Sequence, residues 1–319
     1  MNQRALVSII VPTYNRCGLL SEAVRSCLAQ SLAEIDLLIC DNASTDDTPK
    51  VARELCRDPR VRYKARPENI GGLRNISRAV IEEELAPFVL IMSDDDKFCD
   101  YTYLEDAYRL ISGDPRMGFV HGNVEIVNRI EGTSRIPSRR LSARYLGREF
   151  FLGLGTAEHD YAYLMTVLVR RDLARQVRFF ADPDLPHGDS LAWLRCALVA
   201  DVGYIDRVVA HYILHGSNSI GHPDLEVHLA DIRFYLEALA DARASGLFTP
   251  AELASWQSRM RAYYCGGIIE KLGAGFGVGR AARVILRLQR QHGIFADAYL
   301  ARRSLRALVR CAVRRRAEG

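Results

Sequence analysis

From Leu6 to Met92, short apolar runs alternate with stretches of helical periodicity, and few folds other than parallel strands joined by helices accommodate that alternation. Leu6 to Val11 reads as a strand stopped at Pro12, after which Leu19, Leu20, Ala23, Val24, Cys27 and Leu28 recur at helical spacing. Ile35 to Cys40 is a second buried strand ending at Asp41-Asn42. Ser44 or Thr45 then caps a helix through Leu55, with Asp46 and Asp47 in its first turn. Val61 to Tyr63 reads as a third strand, Gly71 or Gly72 to Glu84 as a helix, and Phe88 to Met92 as a fourth strand. The expected architecture is α/β, a mostly parallel sheet flanked by helices. Further on, the pattern predicts a helix at Tyr103 to Ile111, a strand at Phe119 to Val127, a mobile polar loop at Asn128 to Ser142 and a strand at Leu164 to Val169. A helix at Ser190 to Val199 and a last strand at Val208 to Leu214 follow, and beyond Pro223 the pattern is helical throughout.

In a parallel sheet the carboxyl ends of the strands open on one edge, where such sheets bind their ligands. The first strand runs into Pro12-Thr13-Tyr14-Asn15-Arg16, the second into Asp41-Asn42-Ala43-Ser44 and the fourth into Ser93-Asp94-Asp95-Asp96. Adjacent carboxylates raise each other's pKa, and a bound divalent cation, Mn2+ or Mg2+, is the simplest way to keep all of them charged. The other reading of that cluster alone is a solvated acidic loop with one Asp capping the next helix. Convergence of the strand ends favours a site, because an aromatic ring, hydroxyls and carboxylates along one crevice suit a nucleoside.

The 319 residues, 49% hydrophobic and 26% charged, make room for one large or two modest domains. No apolar run approaches the roughly 18 residues that span a bilayer, and Met1 to Val7 lacks a signal-peptide pattern. The eight Cys form no CxxC pair and lie mostly in apolar segments, as reduced thiols of a cytosolic protein would. The net charge of +4 is uneven: residues from Val278 onward carry +9 and the remainder −5.

Taken in order, Val7-Ser8-Ile9-Ile10-Val11-Pro12-Thr13-Tyr14-Asn15-Arg16, Asp41-Asn42-Ala43-Ser44-Thr45-Asp46-Asp47-Thr48, Asn69-Ile70-Gly71-Gly72-Leu73-Arg74-Asn75 and Ser93-Asp94-Asp95-Asp96 closely resemble the family-2 glycosyltransferases, which have the GT-A fold. The resemblance covers about residues 5 to 220; residues 225 to 319 lie outside it. It implies a GT-A domain at 1–222, with a nucleotide-binding half at about 1–115 and an acceptor half at about 116–222, followed by a basic helical region at 223–319. The implied reaction moves a sugar, with inversion, from a nucleotide-diphosphate donor to a saccharide or lipid-linked acceptor of surface-glycan synthesis. A UDP-sugar is the foremost donor, with dTDP- and GDP-sugars allowed.

Carried over residue by residue, the resemblance sets Pro12, Thr13 and Tyr14 at the base, Asp41 on base or ribose, and Arg74 near the nucleotide. One register pairs Asp94 with the ribose and Asp95 with the metal. A literal D-x-D reading uses Asp94 and Asp96, which share a face if the segment is extended, so Asp95 is the first-choice ligand and Asp96 the second. His187 to Arg195 resembles the segment whose acidic residue opens a helix and serves as the base that inverting transfer needs; Asp189 holds that position, with Asp182 and Asp184 as nearby substitutes. Without the resemblance, Asp189 reads equally as a helix N-cap. His215 is the candidate third metal contact, with Ser217 and Ser219 in the loop that closes over the diphosphate; Glu158, His159 and Asp160 precede a strand that would face the acceptor, the commoner reading of such residues being exposed loop polarity.

At the end of the chain, Arg280, Arg283, Arg287 and Arg290 oppose Ala281, Val284, Ile285 and Leu288. Likewise Arg302, Arg303, Arg306, Arg310 and Arg314 oppose Leu305, Leu308, Val309, Ala312 and Val313. Such helices either pack on their own domain or a homodimer partner, with a solvated Arg face, or lie on an anionic membrane, which would make the protein cytoplasmic and peripheral on the inner face. Few aromatics interleave with the arginines, which argues against nucleic acid. The competing functional classes are a nucleotide-sugar-binding module without turnover and a nucleotidyltransferase; the latter lacks a Gly-rich triphosphate loop near the start of the chain.

Overall fold

The computed structural model describes residues 5–156, 162–177, 179, 185, 188–216, 218, 225–275 and 278–317. The chain divides into two compact units, Met1–Gly221 and His222–Gly319.

The first unit opens with β1 (Val7–Thr13), α1 (Cys17–Leu28), β2 (Ile35–Asp41), α2 (Thr48–Leu55), β3 (Val61–Ala65), α3 (Gly72–Glu82) and β4 (Phe88–Ile91). There follow β5 (Lys97–Phe98), α4 (Tyr103–Ser112), β6 (Met117–Asn128), β7 (Thr133–Arg135), β8 (Arg144–Tyr145) and α5 (Gly147–Gly153). The last elements are β9 (Leu168–Arg170), α6 (Arg171–Gln176), α7 (Gly188–Ala197) and β10 (Asp201–Leu214). One sheet runs β3-β2-β1-β4-β9-β6-β10-β5. β1 lies parallel between β2 and β4, in a register that sets Thr13 opposite Asp41 and Ile10 opposite Ile91. The runs read as strands are near-continuously apolar because helices cover both faces: Ile9, Val11, Leu37, Ile39 and Leu90 are fully buried.

Several expectations are corrected. Within the mostly parallel sheet that the sequence predicts, the three-residue β9 enters antiparallel between β4 and β6, and β6 and β10 resume the parallel direction. So short a strand carries no sequence signal of direction. The predicted strand from Leu164 is a 3-10 turn at Leu164–Thr166 followed by β9. α2 starts at Thr48, so Asp46 and Asp47 precede the helix; Asp46 accepts hydrogen bonds from the backbone N–H of Thr48 at 2.9 Å and of Cys17 at 3.3 Å. β10 starts at Asp201, its register against β6 shifting between Ile205 and Val208, where Asp206 and Arg207 interrupt the apolar pattern. The loop predicted to be mobile is partly ordered: β7 pairs with β6, Asn123 donates to the Pro137 carbonyl at 2.8 Å, and Arg139 is buried against His121.

The second unit consists of α8 (Leu225–Ser245), α9 (Pro250–Gly275), α10 (Val278–His292) and α11 (Ala298–Ala317). α9 packs against α8 and α11, and α10 packs against α11. The face of α10 at Ala281, Val284, Ile285 and Leu288 is buried as the sequence predicts. On α11 the inward face is Leu300, Ser304, Ala307 and Cys311, whereas Leu305 and Val309 are 65% and 53% exposed. Gly266 of α9 faces α11, where an added Cβ would lie 3.3 Å from the Arg303 side chain and 3.7 Å from that of Leu300.

Candidate functional site

The carboxyl ends of β1, β2 and β4 lie side by side, and the loops that leave them are tied together. Asn15 and Ala43 both adopt positive φ, 53° and 64°, a left-handed conformation that Asn visits readily and Ala rarely. The Asn15 backbone N–H donates to Ser44 Oγ at 2.9 Å, and Asn15 Oδ1 accepts from the Thr45 N–H at 2.8 Å. Arg16 N–H donates to Thr48 Oγ1 at 3.0 Å, so the turn after β1 and the segment before α2 form one platform. Strained backbone held this way is characteristic of sites whose geometry is fixed in advance.

Asp41 ends β2 buried, with Oδ1 accepting from the Ser44 N–H at 2.9 Å and Oδ2 from the Tyr63 hydroxyl at 2.7 Å. Asn42 bridges onward, accepting from the Ile70 N–H at 3.0 Å and donating to Asn69 Oδ1 at 2.7 Å. Asn75 donates to the Cys40 carbonyl at 2.8 Å and accepts from the buried Arg66 at 3.0 Å, which fixes α3 beneath this edge. Arg74 stands exposed in the first turn of α3, and Tyr14 is exposed beyond Thr13 and Pro12.

The acidic segment is a turn rather than an extended strand, closed by a hydrogen bond from the Asp96 N–H to the Ser93 carbonyl at 3.3 Å. Its three side chains therefore diverge, which removes the shared face assumed for Asp94 and Asp96. Burial pushes the Asp94 carboxyl up to about 6, with the Asp95 charge adding to the rise and Thr13 and Arg16 opposing it. Asp96 is buried with Oδ1 accepting from the Ile213 N–H at 2.8 Å; burial, and then the Asp95 charge, raise its pKa well above the usual carboxylate range. Asp96 thus fastens the end of β10 to the end of β4.

Asp95 points the other way. Its Oδ2 lies 3.0 Å from His215 Nε2 and 3.4 Å from Asn218 Nδ2. Asn218 also accepts from the His215 N–H at 2.7 Å and donates to the Ile213 carbonyl at 2.8 Å, so one amide orients both partners. Asn218 was not among the residues the sequence pointed to, although it stands between Ser217 and Ser219. Among the described residues, no group of three or more His, Cys, Asp or Glu side chains is arranged to hold a metal ion. Asp95 and His215 supply an oxygen and an imidazole nitrogen facing one another, a donor pair that fits a divalent cation completed by ligand oxygens.

Asp189 lies half-buried in the first turn of α7, with Oδ1 accepting from the Ser190 N–H at 2.8 Å. α7 is held by Trp193, whose ring centroid lies 4.9 Å from Phe179 and 5.8 Å from Phe119. The phenol of Tyr212 on β10 relates this helix to the acidic turn. Its pKa is raised by burial first and then by the carboxylates of Asp96, Asp95 and Asp189 together. Tyr212 packs on Tyr163 at 5.4 Å, and the Arg139 guanidinium lies 5.7 Å from the Tyr163 ring. His187, Asp182, Asp184, Ser217, Ser219, Glu158, His159 and Asp160 lie outside the described residues.

Comparison with known proteins bears on the family and the fold. An uncharacterized glycosyltransferase of Haemophilus influenzae is 28% identical over 199 residues, 60% of this chain and 71% of that protein. A Campylobacter jejuni GalNAc(5)-diNAcBac-PP-undecaprenol beta-1,3-glucosyltransferase is 30% identical over 92 residues, 28% of this chain and 30% of its own length. In three dimensions, S. aureus TarS 1-349 in complex with UDP-GlcNAc superposes with a TM-score of 0.59 at 17% identity, covering 98% of this chain and 92% of that one. The mannosyltransferase PcManGT from Pyrobaculum calidifontis in complex with GDP-Man and Mn2+ gives 0.57 at 18% identity, covering 98% and 87%. These likenesses give the GT-A fold. The model of glycosyl transferase family 2 matches residues 8–175, and the chain belongs to that family.

Proposed function

We propose that this protein is an inverting, metal-assisted glycosyltransferase that moves a sugar from a nucleoside-diphosphate donor, a UDP-sugar foremost, to a hydroxyl of a saccharide or lipid-linked acceptor in surface-glycan synthesis. The observation that carries the reading is the 3.0 Å approach of Asp95 and His215, which joins the carboxyl ends of β4 and β10 over the nucleotide-type crevice. The UDP-GlcNAc and GDP-Man complexes of the structural neighbours support the donor class, and the Mn2+ of the second supports the metal. The Campylobacter relative, named for an undecaprenol diphosphate-linked acceptor, supports the lipid-linked class.

In this mechanism Pro12, Thr13 and Tyr14 border the base, Asp41 and Asp94 hold the base and ribose, and Arg74 meets the nucleotide. Asp95 and His215 hold the cation, and Asp96 fixes the β10 end that presents His215. An oxygen and imidazole pair suits Mn2+ better than Mg2+, which prefers oxygens alone. When bound, the cation supplies positive charge to the departing diphosphate. Asp189 takes the proton from the acceptor hydroxyl as that oxygen attacks the anomeric carbon from the face opposite the leaving group. Residues to about 115 make the nucleotide half and those from about 116 to 222 the acceptor half, with Ser217 and Ser219 assigned to the diphosphate loop.

The test is thermal stabilisation by a panel of nucleotide sugars with and without Mn2+. A donor at about a hundred times its dissociation constant adds about 2.7 kcal/mol. Wild type gains this only with metal, and Asp95→Asn loses it. Stabilisation that survives both chelation and Asp95→Asn overturns the metal assignment.

A further inference from the structure

Between α9 and α11 of the second unit lies a cleft of about 290 Å³, floored by Ile269 and Ala307 and walled by Tyr299, Arg303, Arg306 and Arg310. Its one acidic wall residue, Glu270, is taken up by Arg303, 2.5 Å away, whose guanidinium also lies 5.1 Å from the Tyr299 ring. Arg306 and Arg310 are exposed and have no ion-pair partner among the described residues. Among the described residues the cleft is thus left with two unpaired cations at a concave, partly apolar surface, an arrangement that suits a phosphate group.

The same helix carries a second, independent feature. Around α11, with the buried face at Leu300, Ser304, Ala307 and Cys311, the positions diametrically opposite are Leu305, Val309 and Arg302, and the Arg-walled cleft lies on the flank between. Leu305 and Val309 stand 65% and 53% exposed between arginines rather than packed in the core. An apolar ridge flanked by long cations that can reach back past it suits a helix lying in a membrane interface. No described helix is long and apolar enough to cross a membrane, so contact of this kind would be along the surface. The charge matches the occupant: the segment from Val278 carries +9, while the remainder of the chain carries −5.

We propose that α11 is a membrane-docking helix for anionic phospholipid, with headgroup phosphates seated at Arg306 and Arg310 beside α9 and with Leu305 and Val309 entering the acyl boundary. This surface is independent of the glycosyl-transfer reading, since no residue in it belongs to the sheet edge that carries the site.

The experiment is co-sedimentation of the full chain with vesicles of phosphatidylcholine plus phosphatidylglycerol against phosphatidylcholine alone, at physiological salt. Wild type sediments only with the anionic vesicles. Arg306→Glu combined with Arg310→Glu weakens binding at least about tenfold, each reversal removing an attractive charge and adding a repulsive one. Leu305→Gln with Val309→Gln weakens it separately, with a smaller change in salt dependence. Unchanged melting temperatures show that both variants fold. Wild type that ignores anionic vesicles, or an Arg306→Glu/Arg310→Glu protein that still binds them, overturns the proposal. So does stabilisation by inorganic phosphate without vesicle binding, which would make the cleft a soluble-anion site. A concentration-dependent dimer abolished by either variant would identify a second copy of the chain as the occupant, and would equally overturn it.

Discussion

The two units place their charge in opposite ways. In the first, carboxylates are drawn inward: Asp41 and Asp96 are buried at strand ends, and Asp94 is pushed up to about 6 by its burial. In the second, Arg280, Arg283, Arg287 and Arg290 of α10 and Arg302, Arg306 and Arg310 of α11 stay at the surface while Ala281, Ile285, Ala307 and Cys311 fill the interior. Burying a charge is costly unless something compensates it, whereas an exposed charge costs little and acts at a distance. The first unit therefore reads as a place where stability is given up to hold a ligand, and the second as a stable bundle whose outer face does the work. Each prediction below acts on one side of that contrast and leaves the other untouched.

The largest effect is expected at α7. Asp189→Asn removes the proton acceptor and keeps the shape, so turnover falls by up to about 10⁴-fold while metal-dependent donor stabilisation stays at the wild-type level. Transfer assays beside thermal shifts separate the two quantities. If rate and donor binding fall together, Asp189 supports α7 through its bond to Ser190 rather than reacting.

The contrast also explains what could be read from the chain. The strands β1, β2 and β4 were legible because covered parallel strands are continuously apolar and end abruptly in polar residues, so Thr13, Asp41 and Asp94 to Asp96 fall together. The divergence within the acidic segment was not legible, because one turn hydrogen bond, Asp96 to Ser93, decides whether alternate side chains share a face. Nor was the pairing of Asp95 with His215, whose partners are 120 residues apart. On α11 the sequence left the apolar face open between packing and membrane contact, and the structure buries Leu300, Ser304, Ala307 and Cys311 while Leu305 and Val309 stay exposed. Periodicity marks the faces of a helix; the neighbours it packs against decide which of them goes inside.

Trp256 on α9 is fully buried in the second unit. Trp256→Ala leaves a large cavity and costs about 3–5 kcal/mol of that unit's stability. Donor affinity, which our proposal places at the sheet edge of the first unit, should shift less than about twofold. Calorimetry with and without donor checks both. A large loss of donor affinity would break the separation of the two units.

The smallest effects are in pH, and their signs oppose each other. Asp94 has a folded pKa of about 6 against an ordinary 3.8, so the folded state holds the extra proton between those values, and stability is lost as pH rises through that window. Asp94→Asn removes this slope, gaining on the order of 2 kcal/mol at neutral pH while weakening donor binding. His292, at the end of α10, is shifted the other way. Its pKa is lowered from 6.5 by burial first and then by the charges of Arg261 and Arg287, with the Tyr235 hydroxyl 3.3 Å from its Nδ1. Here the unfolded chain binds the extra proton, so stability is present above 6.5 and is lost as pH falls below it. His292→Gln should flatten that acid-side loss. Denaturant titrations of each variant against wild type across the range should therefore give difference curves of opposite slope, Asp94→Asn gaining on wild type toward alkaline pH and His292→Gln gaining toward acid. Slopes of the same sign would mean that Asp94 and His292 are not the groups that set the two units apart.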